Sequence, residues 1–217
     1  MRGRPAAGGG RWVDVDPERL RRWLERFEQR HGSIAVDAQP YGLRIAAVDG
    51  ALAEWHTPPG ALTRSDLDAF VAAAVEPRRV GLVLVRRGGA AIGLAHGDRL
   101  VESKVDGGYV QSRTAAGGWS QQRFARRRDN QTRSVAERAV EHAARLLVPV
   151  AAGLAAVVGG GDRRLVDTVF ADARLKPLVP LRDERFLEVP DPRLAVLVEA
   201  ARQARAVRIR VTEPDDR

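Results

Sequence analysis

Apolar residues recur along the first third of the chain with a helical period, then an alternating one, then a helical one again. Leu20, Trp23, Leu24 and Phe27 stand at i, i+3, i+4 and i+7, one face of a helix. Ahead of them Asp16-Pro17-Glu18 offers a cap, a preset φ and an acid at the positive dipole end, so the helix is predicted to start there. Gly32 is its predicted stop. Two or three strands are predicted between Ile34 and Trp55, broken at Gln39-Pro40-Tyr41-Gly42 and at Asp49-Gly50. Ser65-Asp66 opens a second helix with Leu67, Phe70, Val71 and Ala74 on one side, and Pro77 closes it.

From residue 79 the pattern is strand-like again. Residues 79–105 read as a strand, a turn at Gly88-Gly89 and a returning strand, with a further strand or arm continuing to Tyr109-Val110-Gln111. An irregular loop follows. Ser134 and Glu137 match a capping box, and with Val135, Ala139, Val140, Ala143 and Leu147 they begin or continue a long helix to about Leu147. Residues 154–162, LAAVVGGGD, read as a short buried strand ending in a glycine turn, after which Asp162 caps a helix with Val166, Val169 and Phe170 inward. Residues 185–189 form a short strand, Asp191-Pro192 starts a helix to about Ala201, and AVRIRV (206–211) closes the sheet. Strands alternating with helices predict one α/β domain with a mixed sheet over residues 11–212, carrying a projecting loop at 113–128. The Gly- and Ala-rich residues 1–10 are expected to be a disordered tail, and residues 213–217 a second tail.

Charge sharpens this picture. Lys and Arg total 36 against 28 Asp and Glu, a net charge of +8, which favours a polyanionic partner. Lys104 and Lys176 are the only lysines; arginine supplies the rest, with a planar fork suited to phosphates and to stacking on bases. Absence of cysteine excludes disulfides, thiolate zinc sites and cysteine nucleophiles. His31, His56, His96 and His142 are scattered without metal spacing, so neither metal nor other cofactor is expected. The start, MRGRPAAGGGR, lacks the apolar core of a secretory signal, and the longest apolar run, residues 148–158, is too short for a bilayer. A cytoplasmic protein without a membrane partner is the expectation.

One stretch concentrates the charge. Residues 109–133 hold Arg113, Arg123, Arg126, Arg127, Arg128 and Arg133 against Asp129, a net +5, with Trp119 and Phe124 interleaved. Arginines on phosphates and aromatics on bases make sequence-tolerant RNA contacts; the competing reading is a solvated helix face. Two other motifs are weaker. GGGDRR (159–164) has neither the lysine and serine of a P-loop nor the spacing of a dinucleotide loop, which favours a tight strand-to-helix turn over a phosphate cradle. Asp167, Asp172, Asp183, Glu184 and Glu188 are spread out and read as caps and surface charges, although a metal-dependent nuclease would need such carboxylates to converge. His56 and His96 stand singly in loops.

Residues 117–131, GGWSQQRFARRRDNQ, preceded by YVQSRTAA, resemble the Vms-like release factors (the VLRF family), most closely their actinobacterial branch. That family is related to the catalytic middle domain of eukaryotic and archaeal peptide-chain release factors. Its motif is a glycine followed shortly by a glutamine on a loop, with a basic Arg-Arg-x-Asn stretch downstream. Gly118-Trp119-Ser120-Gln121 fits the first part and Arg127-Arg128-Asp129-Asn130 the second. The resemblance covers about 25 residues, and departs from the strict Gly-Gly-Gln of termination factors, so stop-codon reading is not implied. It implies an RNase H-like mixed sheet and a monomeric peptidyl-tRNA hydrolase acting on the large ribosomal subunit, in rescue of stalled or split ribosomes. Gln121 is then the catalytic candidate, with Gln122 as runner-up and Gly118 giving the tip its slim profile; Arg113, Trp119, Arg123, Arg126, Arg127, Arg128 and Asn130 would meet RNA. Two rivals stay open: a non-catalytic ribosome- or RNA-binding module, and a nuclease on an RNase H-like sheet.

Overall fold

The computed structural model describes residues 3–107 and 121–214, with residues 121–130 as backbone. The fold is α/β, and its strands divide between two sheets where one was expected. They belong to two compact units, one made of residues 1–77 with 205–217, the other of residues 78–204.

In the first unit, strands β1 (Arg4–Pro5), β2 (Arg11–Val15), β3 (Ile34–Gln39), β4 (Gly42–Ala47), β5 (Leu52–His56) and β11 (Val207–Thr212) form an antiparallel sheet in the order β1-β2-β11-β5-β4-β3. Helices α1 (Leu20–His31) and α2 (Leu67–Val75) bury their apolar sides in the same cluster as the inward strand residues. Leu20, Leu24 and Phe27 of α1 meet Trp55, Ile45 and Ile209 there, as the helical spacing predicts. Gly32 ends α1 at φ 85°, a conformation that costs other residues a clash at Cβ. Asp66 caps α2 by accepting from the Ala69 amide at 2.8 Å.

The N-terminal residues depart from expectation. Residues 3–10, read from sequence as part of a tail, include β1, which pairs with β2, and Gly8, Gly9 and Gly10, all at positive φ. The reason is an arginine from the other end of the chain. Arg210 Nη2 donates to the carbonyl of Gly8 at 2.9 Å and to that of Gly9 at 3.2 Å, while Nη1 faces Glu54 at 3.4 Å. Carbonyls that a glycine-rich segment would present to water are held by one guanidinium fork instead. Strand β2 itself was not anticipated. Beyond β11, Glu213 reaches Arg11 at 3.1 Å, so the expected C-terminal tail is anchored at its first residue.

The second unit carries a five-stranded mixed sheet in the order β10-β9-β6-β7-β8, from β6 (Arg79–Arg86), β7 (Gly89–His96), β8 (Arg99–Gly107), β9 (Ala156–Gly161) and β10 (Arg182–Leu187). Only β7 runs against the others. Counted within the sheet, the order is 3-2-1-4-5, that of the RNase H-like sheet the resemblance implies. Six consecutive residues of β6 are buried, as both faces are covered. Helices α3 (Gln121–Leu146) and α4 (Arg163–Phe170) share one core with Val83, Val85, Ile92 and Val157, while α5 (Leu194–Arg205) shares the other with Leu82, Leu84 and Val158. A tight 3-10 stretch, Ala173–Leu181, escaped the sequence reading because Pro177 and Pro180 interrupt it.

Candidate functional site

The basic stretch falls between β8 and α3, in the second unit. Gly118, Trp119 and Arg113 lie outside the described residues. Gln121, Gln122, Arg123, Arg126, Arg127, Arg128 and Asn130 lie in the first ten residues of α3. This corrects the loop expected at 113–128: from Gln121 onward the backbone is helical. The capping box is corrected too, because Ser134 and Glu137 sit inside the helix, and Ser134 Oγ accepts from Arg138 Nη1 at 2.6 Å.

Packing along α3 is uneven. Among its residues with described side chains, Gln131 and Arg133 are exposed, and Val135 is the first to be buried, at 1%. Val135, Ala136, Ala139, Val140, Ala143, Leu146 and Leu147 then form the stripe against the sheet. At 1.5 Å per residue, Gln121 stands about 20 Å along the axis from Val135. The glutamines and arginines are therefore carried on the opening turns of a long helix, about four turns ahead of Val135.

Below that anchorage point α3 is fastened to β8. His142, buried on α3, meets Asp106 Oδ2 through Nε2 at 2.9 Å. Arg138 Nε reaches the same oxygen at 3.2 Å. Register explains the meeting: Asp106 pairs with Ala90, whose side chain joins the α3 core, so both point toward the helix. Sequence reasoning passed over this group. The available signal was a lone histidine within an otherwise apolar stripe.

Between α3 and α4 lies a cleft of about 310 Å³, floored by Ala136, Val140 and Leu165 and rimmed by Arg133, Glu137 and Asp172. One of its charges is closely matched. Asp172 accepts from Arg174 Nε at 2.9 Å, and this hydrogen bond, with a second from the Arg174 amide, pulls its carboxyl down to about 2.

The other sequence candidates resolve into structural roles. Gly159 and Gly160 lie within β9 rather than in a cradle. A Cβ on Gly160 would stand 2.7 Å from Leu84 Cδ2 and 2.9 Å from the Leu187 carbonyl. Asp162 fills the start of α4, accepting from the Arg164 amide at 3.0 Å and the Leu165 amide at 3.3 Å, where a bound anion would otherwise lie. Asp167 pairs with Arg182, and Asp183 accepts from the Arg185 amide at 2.9 Å. In the first unit, His56 stacks on Tyr41 with centroids 4.7 Å apart. Among the described residues no group of three or more His, Asp or Glu side chains converges as metal ligands would. No helix among them is long and apolar enough to cross a membrane.

Comparison with known proteins adds a family. The sequence model of the actinobacteria/chloroflexi VLRF1 release factor (acVLRF1) matches residues 78–210, more than half of the chain, beginning where the second unit begins. No curated protein matches the chain. Among solved structures, an archaeal protein is similar at 21% identity and a TM-score of 0.38, over 71% of this chain. The chain spans 48% of that protein's length. The archaeal translation termination factor aRF1 is similar at 16% identity and a TM-score of 0.43, over 93% of this chain and 68% of the factor.

Proposed function

Since the chain belongs to the actinobacteria/chloroflexi VLRF1 release-factor family, we propose that it is a cytoplasmic, monomeric peptidyl-tRNA hydrolase that frees nascent peptides from the large ribosomal subunit of stalled or split ribosomes. One observation carries this reading: a glutamine pair and an arginine block occupy the first turns of the long helix α3, about 20 Å along its axis from Val135, at 1.5 Å per residue. A helix about 10 Å across, bearing positive charge, suits entry into an RNA-walled cavity.

The substrate is an ester between a peptide and the terminal ribose of tRNA. Hydrolysis joins water oxygen to the ester carbonyl carbon, and the ribose oxygen leaves with a proton. A neutral Gln121 side chain donates and accepts hydrogen bonds, so it orients the water or stabilises the developing oxyanion. It has no basic group to take the proton, which passes through ribose hydroxyls and RNA. Gly117 and Gly118 give the preceding segment a narrow profile. Arg123, Arg126, Arg127 and Arg128 neutralise nearby phosphates; Arg113, Trp119 and Asn130 extend the contact.

The test is release of labelled peptide from purified large-subunit complexes carrying peptidyl-tRNA. Gln121→Ala should keep ribosome binding and slow release by about 3–4 kcal/mol in barrier, on the order of a hundred- to a thousandfold. Gln122→Ala should be milder. If Gln122→Ala is instead the inactive one, the catalytic assignment moves by one residue. Full activity in both and in the double variant would sink the hydrolase reading, and binding without release would leave the non-catalytic module.

A further inference from the structure

We infer that Asp106, with His142 and Arg138, is a positioning device that fixes the strand from which the basic segment departs. The inference rests on the proposed release function and concerns residues outside the catalytic motif.

Among the described residues strand β8 is an edge strand, bonded to β7 alone, and the register slips by one residue between Leu94 and Ala95. Its last residues, Asp106 and Gly107, pair with Ala90 and Gly89 at the β6–β7 turn, the end of the sheet most prone to fray. Gly107 has no side chain to pack. Val105 packs into the core on the α5 side of the sheet. On the α3 side the carboxylate of Asp106 supplies the link. It takes His142 Nε2 at 2.9 Å and Arg138 Nε at 3.2 Å, two donors one helical turn apart on α3. His142 is buried in α3's packed section. Arg138 is in turn steadied by its 2.6 Å hydrogen bond to Ser134 Oγ. Two donors on one rigid helix converging on one oxygen define a position, not only an attraction. Asp106 stands two residues before the segment that carries Gly118, and α3 begins just after that segment. The end of β8, from which the motif segment departs, is thus held against the packed section of α3 by one carboxylate.

A chain without cysteine makes the relation measurable, since each introduced cysteine is the sole label site. Spin labels at Gly107→Cys and Gln131→Cys report the distance from the end of β8 to the exposed part of α3. A Cβ at Gly107 meets nothing within 4 Å, so the label is tolerated. The parent should give one narrow distance distribution, and Asp106→Ala and His142→Ala should broaden it. In unlabelled proteins the same variants should lower kcat for peptide release on the order of ten- to a hundredfold, with KM changed less than about twofold. His142→Gln keeps a donor for Asp106 and should restore both narrow distance and release. Asp106→Asn, which retains the strand and loses the charge, should fall between. An unbroadened distance in Asp106→Ala overturns the inference. So does a broadened distance with unchanged kcat, or a loss that appears in KM and binding alone. Failure of the parent itself to release peptide would instead strike the proposed function and the positioning role with it; the distance measurement then still decides whether the carboxylate holds β8.

Discussion

Replacing Gln131 by proline tests whether the start of α3 stands free of the body. Gln131 is exposed, ten residues into the helix and four before Val135. Proline there removes the amide that would bond to the Arg127 carbonyl and clashes with that carbonyl, a local cost of about 3 kcal/mol. Where that cost falls depends on packing. Downstream, the shortened helix would begin near residue 131, and proline is well tolerated at a first helical position. The apolar stripe from Val135 to Leu147 stays in place. Upstream, ten residues remain, fewer than the roughly 12–15 that an isolated helix needs to persist in water. Hydrogen exchange by mass spectrometry should therefore show lost protection over residues 121–130 and unchanged protection over 135–146 and β6. Global stability from far-UV circular dichroism in denaturant should change by less than about 1 kcal/mol. Tryptophan fluorescence would not report on the core of the second unit, because Trp12, Trp23 and Trp55 belong to the first unit and Trp119 lies outside the described residues. Peptide release should be lost, while Gln131→Ala should keep it. A drop in global stability by the full 3 kcal/mol or so would mean that the start of the helix is integrated with the core, and the account of a projecting site would be wrong.

Three further outcomes are expected. Gly160→Ala should destabilise by about 1–3 kcal/mol, since its methyl would overlap Leu84 and a backbone carbonyl, whereas Gly107→Ala should be near neutral; equal melting temperatures for the two would count against the packing described. Asp172 is held at about 2 by Arg174, below its unfolded value, so its stabilising effect is present above the unfolded pKa and is lost as pH falls toward about 2; Asp172→Asn should differ from the parent near pH 6 and converge with it at about pH 2 in thermal melts, and a constant difference across that range would refute the linkage. Replacing Arg126, Arg127 and Arg128 by alanine should leave the fold intact and lower the salt slope of ribosome binding by about one unit for each phosphate no longer neutralised; an unchanged slope in sedimentation would remove those arginines from the interface.

What the sequence disclosed follows from which forces are local. Helix α1 was legible because four large apolar residues repeat at helical spacing and the capping residues adjoin them. The basic motif was legible because charge and glycine are visible one residue at a time. Pairing partners were not. Strand β2 is five residues long, and β11, with which it aligns Val15 against Val207, lies some 190 residues away; no local pattern marks that match. Alternation in β5 and a continuous apolar run in β6 say that both are strands, but not that β5 joins β11 in one sheet and β6 joins β9 in another.

The start of α3 shows the same limit from the other side. Periodicity detects a helix only through the face it buries. Between Phe124 and Val135 the chain offers arginines, Asp129, amides and hydroxyls, with Ala125 the sole apolar residue, so the segment carries no apolar stripe and reads as loop. The Ser134–Glu137 match left open whether a helix begins or continues there, and in the structure it continues. Turns without an apolar stripe offer little to a core, and six consecutive residues from Arg123 to Arg128 include four arginines. In water such like charges repel and weaken the helix. Against a phosphate wall the same charges are matched, and the segment gains order on binding. The start of α3 should therefore be less protected from exchange in the free protein than on the large subunit; equal protection in both states would count against the ribosome as its partner.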